Sequence, residues 1–197
     1  MIIVTLPLSF RNERIYVVKW VLIEVLGLKI EMQFENREGV FLNVHDSSRT
    51  LKLNDNFFSM PADAWLNRGS IPALPISESK VPAQLMKSGR IRHEIVPVLF
   101  GESSNPMICD VALSDEIMLN LDIFGSIFFL ISRYEELVFS ERDVHERFSS
   151  QTSVLSPQRY IQRALGNEYI EILWSAMKHL WPELRRKPRR FRVLPSH

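Results

Sequence analysis

The sequence predicts an α+β fold with an N-terminal helix, an antiparallel or mixed sheet meander, and C-terminal helices packed on the sheet. Three observations support it: an apolar stretch of helical length near the start, alternating apolar and polar residues over 29–44, and apolar residues at helical spacing after residue 122. Hydrophobic residues make up 46% of the 197 residues, which excludes a disordered chain. The single cysteine, Cys109, can form no internal disulfide bond, which fits a reducing compartment.

The first helix is predicted to run from Glu13 to Leu28. Asn12 belongs to the residue types that cap helix N-termini, and Gly27 lies where a left-handed residue would end the helix. Eleven of the fourteen residues from Ile15 onward are apolar. Six of those eleven are β-branched, so a strand is the alternative interpretation.

The alternating segment predicts three strands joined by two turns. Apolar residues occupy every second position over 30–34 and again over 40–44, and a third short strand follows at 51–53. We interpret these strands as an antiparallel meander. Residues 54–89 lose the periodicity and contain four prolines, so they are expected to hold short helices or a functional loop. Further strands are expected at 95–100, with Pro97 favouring a sheet edge, and at 107–111.

The C-terminal part is predicted to be helical. Asp122 can cap a helix whose apolar stripe contains Phe124, Ile127, Phe128 and Ile131. Ser156 and Pro157 are expected to start a short helix that ends at Gly166. Asn167 is expected to start the last helix, and a short strand is expected over 191–194. One face of that last helix carries the apolar residues Ile170, Leu173, Trp174, Met177 and Trp181.

The domain prediction is a single α+β unit over 1–184, followed by a basic linker or strand over 185–197. Six of the 24 basic residues lie in 185–192 without an acidic residue, which leaves 18 basic against 23 acidic residues elsewhere. Clustered cations can bind a polyanion or another domain, although the alternation over 190–193 also fits a solvated strand. The formal net charge of +1 argues against a nucleic-acid-coating protein. The basic candidates are Arg185, Arg186, Lys187, Arg189, Arg190 and Arg192.

Local motifs for catalysis or metal binding are absent from the sequence. The seven glycines form no phosphate-binding spacing, and the five histidines form no paired metal-ligand spacing. We therefore predict no catalytic residue, no metal ligand and no cofactor in this chain. The first residues lack the basic start of a signal peptide, and the apolar stretches at 15–28 and 119–131 are too short to span a membrane. The expected location is cytoplasmic, away from membranes.

A polar cluster after the Asp122 helix is the candidate binding site. If that helix continues, Glu135 falls in line with Phe128 and Ile131 and faces the core. A carboxylate there needs a nearby cation, for which His145 and Arg147 are the candidates. The cluster is either a binding or catalytic site, with 54–89 as a lid, or a structural ion pair between loop and helix. Its members are Arg133, Glu135, Glu136, Asp143, His145 and Arg147.

Several segments together resemble the N-terminal domain that precedes the catalytic barrel in bacterial polysaccharide deacetylase family proteins. The most specific segment is the run FFLISRYEE at 128–136. Members of that family usually carry glycine where this chain has Glu146. The other segments are Glu13-Arg14-Ile15-Tyr16, 24–28, 122–124, Asp143-x-His145-x-Arg147-Phe148 and the closing 191–197.

The resemblance implies a non-catalytic accessory domain. In that family, Pro-Ser-His leads into an Asp-x-Asp motif of a barrel in which an aspartate and two histidines bind a divalent metal. The metal polarises the acetamide carbonyl and activates water, and the resemblance places its ligands beyond His197. The implied partner is a deacetylase domain of the same polypeptide. A polysaccharide is a second candidate partner, and nucleic acid is not expected.

Overall fold

A mixed five-stranded sheet forms the centre of the computed structural model, which describes residues 1–87, 90–102, 106–109, 115–158 and 160–188. The strand order is β2-β1-β3-β4-β7. The strands are β1 (Ile2–Pro7), β2 (Ile30–Glu35), β3 (Val40–Val44), β4 (Thr50–Leu53) and β7 (Glu116–Leu119). Helices pack against this sheet, so the predicted α+β class is confirmed.

The central strand β1 was not expected from the sequence pattern, and it changes the topology. It pairs in parallel with β2 and antiparallel with β3, so that Val4 lies between Met32 and Leu42. The predicted meander is therefore wrong at its first step, because β2 and β3 are not neighbours. The segment over 2–7 is nearly continuous in apolar residues and almost wholly buried, which is the pattern of a strand in the sheet interior rather than an alternating one.

Four strands of this sheet run in the same direction, and only β3 opposes them. β4 pairs antiparallel with β3 and parallel with β7. The carboxyl ends of β1, β2, β4 and β7 therefore meet at one edge of the sheet.

The first helix is shorter at its start than predicted and changes type along its length. Helix α1 (Arg11–Val18) begins after Phe10, not after Asn12, and continues as a π-helical segment over Lys19–Val25. Gly27 follows with φ 70°, as predicted for the end of the helix. A side chain at this position would also collide with Lys187, whose Cβ would lie 2.7 Å from an added Cβ.

Residues 54–87 hold short elements, as one of the two interpretations expected. They form 3-10 turns at Ala62–Ala64 and Arg68–Ser70, strand β5 (Ser77–Lys80) and helix α2 (Ala83–Met86). β5 pairs antiparallel with β6 (Ile95–Val98), which contains Pro97 and forms a separate two-stranded sheet. Met107 and Cys109 make single bridges, and the end of the strand predicted at 107–111 lies outside the described residues.

The remaining helices cover the sheet. Helix α3 (Ile123–Ile131) begins at the Asp122 cap, as predicted, and α4 (Glu135–Val138) follows a turn. Helix α5 (Leu165–Leu180) packs against β4, β7 and α3. It includes Gly166 in its first turn, so the predicted stop there and the predicted start at Asn167 are both wrong. Ser156 and Pro157 lie in turns rather than in a helix. All five apolar residues predicted on its face are buried.

In the part of the chain that the structure describes, no helix combines the length and the apolar character needed to cross a bilayer. The strand predicted over 191–194 lies outside the described residues.

Candidate functional site

A buried charged network lies where the parallel strands end. Arg14 projects from the first turns of α1, Asp55 follows β4, and Asp122 follows β7. The crevice outside the carboxyl ends of parallel strands is the usual ligand position in sheets of this kind. This edge is therefore the first place to look for a site.

Arg14 is the centre of the network and is only 1% exposed. Its two terminal nitrogens donate to the two carboxylate oxygens of Asp55 at 2.6 and 2.7 Å. Its Nε donates to the carbonyl of Ser9 at 2.7 Å, and its guanidinium lies 4.9 Å from the ring centroid of Phe58. This two-point geometry compensates much of the desolvation cost of the ion pair.

Asp122 connects the network to α3. Its Oδ1 accepts from the backbone N–H of Gly125 at 2.7 Å, and its Oδ2 accepts from the backbone N–H of Phe57 at 2.8 Å. Burial, with a smaller contribution from the charge of Asp55, raises the pKa of Asp122 to about 7. Gly125 is required here because an added Cβ would lie 2.3 Å from Oδ2 of Asp122.

A polar cleft of about 610 Å³ opens above this network. Lys52, Asn54, Asn56 and Ser59 lie in its wall and present amine, amide and hydroxyl groups. Both oxygens of Asp55 already accept from Arg14, so this carboxylate is not poised as a general base. The cleft suits hydrogen bonding to a polar ligand better than acid–base chemistry.

The structure arranges four of the six predicted polar residues as two local ion pairs. Arg133 donates from two nitrogens to Glu136 at 2.5 and 2.7 Å. Arg147 donates from Nε to Asp143 at 3.1 Å. All four are exposed or half-buried, and each pair lies within one short segment.

Glu135 does not pair with His145 or Arg147, which corrects the predicted ion pair. It accepts from the hydroxyl of Ser153 at 2.7 Å and from the backbone N–H of Val154 at 2.9 Å. The reason is a break in the helix, because α3 ends at Ile131. A side chain beyond that break no longer follows the apolar stripe.

The predicted cluster is also divided in space. Arg133, Glu135 and Glu136 line a depression of about 320 Å³ together with Phe148. Asp143, His145 and Arg147 are not among its lining residues. The six residues therefore do not converge on one cavity.

The Asp143 loop is a tight turn that organises itself. Oδ1 of Asp143 accepts from the backbone N–H groups of His145 and Arg147 at 2.8 and 2.9 Å. These bonds, that of Arg147 first, lower the pKa of Asp143. Glu146 adopts φ 60°, a left-handed conformation that favours glycine. The turn therefore forms with glutamate at the position where the resembling family usually has glycine.

The start of the basic segment contacts the domain. Arg186 donates to Glu171 at 2.8 Å, and both side chains are largely buried. The backbone N–H of Lys187 donates to the carbonyl of Leu26 at 2.9 Å. Arg185 is exposed, while Arg189, Arg190 and Arg192 lie outside the described residues.

The model of a protein family described as a family of unknown function, DUF7033, matches residues 2–182. The chain belongs to the DUF7033 family. No curated protein and no solved structure matches the chain. Within the described residues, the DUF7033 domain holds no group of three or more His, Cys, Asp and Glu side chains that could bind a metal ion.

Sequence reasoning missed Asp55, the partner of the buried arginine in this DUF7033 domain. Arg14 and Asp55 are 41 residues apart, and no local spacing joins them. A usable signal was the placement of Arg14 within an apolar helix, where a buried cation needs a carboxylate. Tyr134, in the FFLISRYEE run, was likewise not singled out, although its buried hydroxyl accepts from the N–H of Leu66 at 2.6 Å.

Proposed function

We propose that this DUF7033 domain is the non-catalytic N-terminal domain of a polysaccharide deacetylase-like protein. It packs against or assists a metal-dependent carbohydrate deacetylase domain in surface polysaccharide metabolism. The observation that carries the proposal is where the residues of the resembling segments lie. Arg14, Asp122 and Tyr134 all belong to the buried framework, and their polar groups are engaged by neighbouring loops.

The framework role explains why such residues recur in a domain without its own catalytic centre. Arg14 ties the loop after β1 to the loop after β4, and Asp122 ties α3 to the loop before Phe57. Removing a buried partner of this kind is costly. The segments are therefore suited to preserving a fold that another domain packs against.

The anchored segment 185–188 also supports the proposal. Arg186 and Lys187 hold it against α5 and the end of the first helix. A following domain would be attached at a defined point on the surface rather than through a free linker. Such an attachment restricts how the two domains can pack.

The two alternatives receive less support from the contacts. An independent enzyme centred on Glu135, Asp143, His145 and Arg147 needs these groups in one cavity, whereas Glu135 alone lines the depression there. A polyanion site over 185–192 needs free cations, whereas Arg186 is already paired with Glu171.

The first test is to read the coding sequence beyond His197. An in-frame Asp-x-Asp followed later by His-x-x-x-His supports the proposal, and an immediate stop codon removes its basis. The second test compares acetate release from acetylated oligosaccharides, with a divalent metal supplied, by the 197-residue chain and by the protein extended through the following region. Activity of the extended protein alone is expected.

A matched control changes the first aspartate of the Asp-x-Asp motif to Asn in the extended protein, which should abolish acetate release. Acetate release by the 197-residue chain would contradict the proposal. If Glu135→Gln then abolished that activity without lowering the melting temperature, the independent enzyme would be the better explanation.

A further inference from the structure

A second groove lies on a different part of the surface, at the start of α5. A polar cleft of about 660 Å³ and an apolar depression of about 310 Å³ share Arg163, Ala164 and Asn167 in their walls. The two hollows therefore adjoin, and we call them together the α5 groove. No residue of the candidate site described above lines it.

The polar part of the α5 groove has an excess of positive charge. Arg90 and Arg92 are exposed and line the cleft, and neither has a hydrogen-bond or ion-pair partner within the described ranges. The two acidic residues of the same wall are already neutralised. Glu168 pairs with Arg163, and Glu171 pairs with Arg186.

The apolar part supplies a surface for stacking. Trp20 lies on the π-helical segment and forms one wall, and Leu130, Ile131 and Leu155 line the rest. All four side chains are half-buried. π-helical turns often occur at functional sites, and a half-buried indole next to polar groups can stack on the apolar face of a sugar ring.

We propose that the α5 groove binds an acidic polysaccharide, with a uronate carboxylate on Arg90 and Arg92 and a neighbouring sugar ring against Trp20. Arginine suits this role because its planar fork can bind a carboxylate with two parallel hydrogen bonds. Asn167 and Gln162 are exposed in the same wall and provide amide groups for sugar hydroxyls. The choice of a polysaccharide as ligand rests on the proposed function, but the groove itself does not.

The charge pattern favours an acidic glycan over a nucleic acid. A nucleic acid carries one phosphate on every nucleotide and is usually met by an extended basic surface. Here two unpaired arginines stand beside Glu168 and Glu171, which would repel a continuous row of phosphates. A glycan whose charged sugars alternate with neutral ones places neutral rings beside these carboxylates.

Calorimetric titration of the 197-residue chain with short hyaluronan oligosaccharides tests the proposal, because in this polymer a uronate alternates with an acetamido sugar. Binding is expected, and it should weaken as salt is raised. Dextran oligosaccharides, oligothymidylate and inorganic phosphate are the comparison ligands. Each should bind at least about tenfold more weakly than hyaluronan.

The variant R90Q/R92Q removes both free cations from exposed side chains and should lower the affinity by about tenfold or more. The matched control is R68Q/R185Q, which changes the net charge equally at two exposed arginines outside the groove and should leave the affinity unchanged. Trp20→Leu should weaken binding by about threefold or more through lost stacking. Circular dichroism melts confirm that each variant is folded.

Absence of hyaluronan binding, or unchanged affinity in R90Q/R92Q, would overturn the proposal. Equal binding of oligothymidylate would identify a nucleic-acid site instead, and equal binding of phosphate would identify a simple anion site. Unchanged affinity in Trp20→Leu would exclude the apolar half of the groove. Because the titration does not measure acetate release, its outcome is separate from that of the coding-sequence test.

Discussion

Removal of the Arg14 side chain should destabilise the domain strongly. Arg14→Ala leaves the carboxylate of Asp55 buried without its cation, and that side chain is only 5% exposed. Breaking a buried ion pair in this way costs about 3 to 5 kcal/mol. For a domain of this size, each kcal/mol lowers the melting temperature by about 2 to 4 °C, so a decrease on the order of 10 °C is expected.

The assay is thermal and urea unfolding followed by circular dichroism. Arg68→Ala is the matched control, because its side chain is 78% exposed and its removal should change the free energy of unfolding by less than about 0.5 kcal/mol. The double variant Arg14→Met/Asp55→Leu removes both charges and keeps similar volumes. It should recover most of the lost stability, since replacing a buried pair with apolar side chains is often neutral.

The coupling between the two positions decides the matter. A favourable interaction means that the two single changes together predict a larger loss than the double variant shows. If Arg14→Ala costs less than about 1 kcal/mol, or if the effects of the two changes simply add, the buried network does not hold this edge of the sheet.

Two further predictions concern pH and backbone conformation. The pKa of Asp122 is raised from 3.8 to about 7, so the folded state binds the proton more tightly than the unfolded state, and the free energy of unfolding should fall by about 4 kcal/mol between pH 4 and pH 7. Urea titrations of native protein and Asp122→Asn across this range test this, and equal slopes would contradict it. Glu146→Gly should stabilise the domain by about 0.5 to 1 kcal/mol, because Glu146 has φ 60°. Urea unfolding beside Glu146→Ala, which should gain nothing, checks it.

Local periodicity predicted the parts of the fold that it physically controls. Strands β2, β3 and β4 begin and end within one residue of the predicted segments, because alternation reports directly on a sheet with one covered face. The Asp122 cap and the apolar stripe of α3 follow from helical spacing in the same way. Strand β1 carries no alternation, and its central position follows from pairing with two segments that come later in the chain.

The candidate site was predicted less well than the fold. The extrapolation to Glu135 assumed one continuous helix, and a single residue invalidates it, since Arg133 adopts φ 54° between α3 and α4. The ion pair of Arg14 and Asp55 depends on the return of the chain at β4 to the side of β1. Contacts of this kind depend on tertiary structure, which residue spacing does not encode.

The position of β1 has a consequence for biosynthesis. The strand that leaves the ribosome first is flanked by the two strands that leave next, and β4 and then β7 extend the same side afterwards. The sheet can therefore be assembled from its middle outwards in the order of translation, without inserting a late strand between two strands that have already paired.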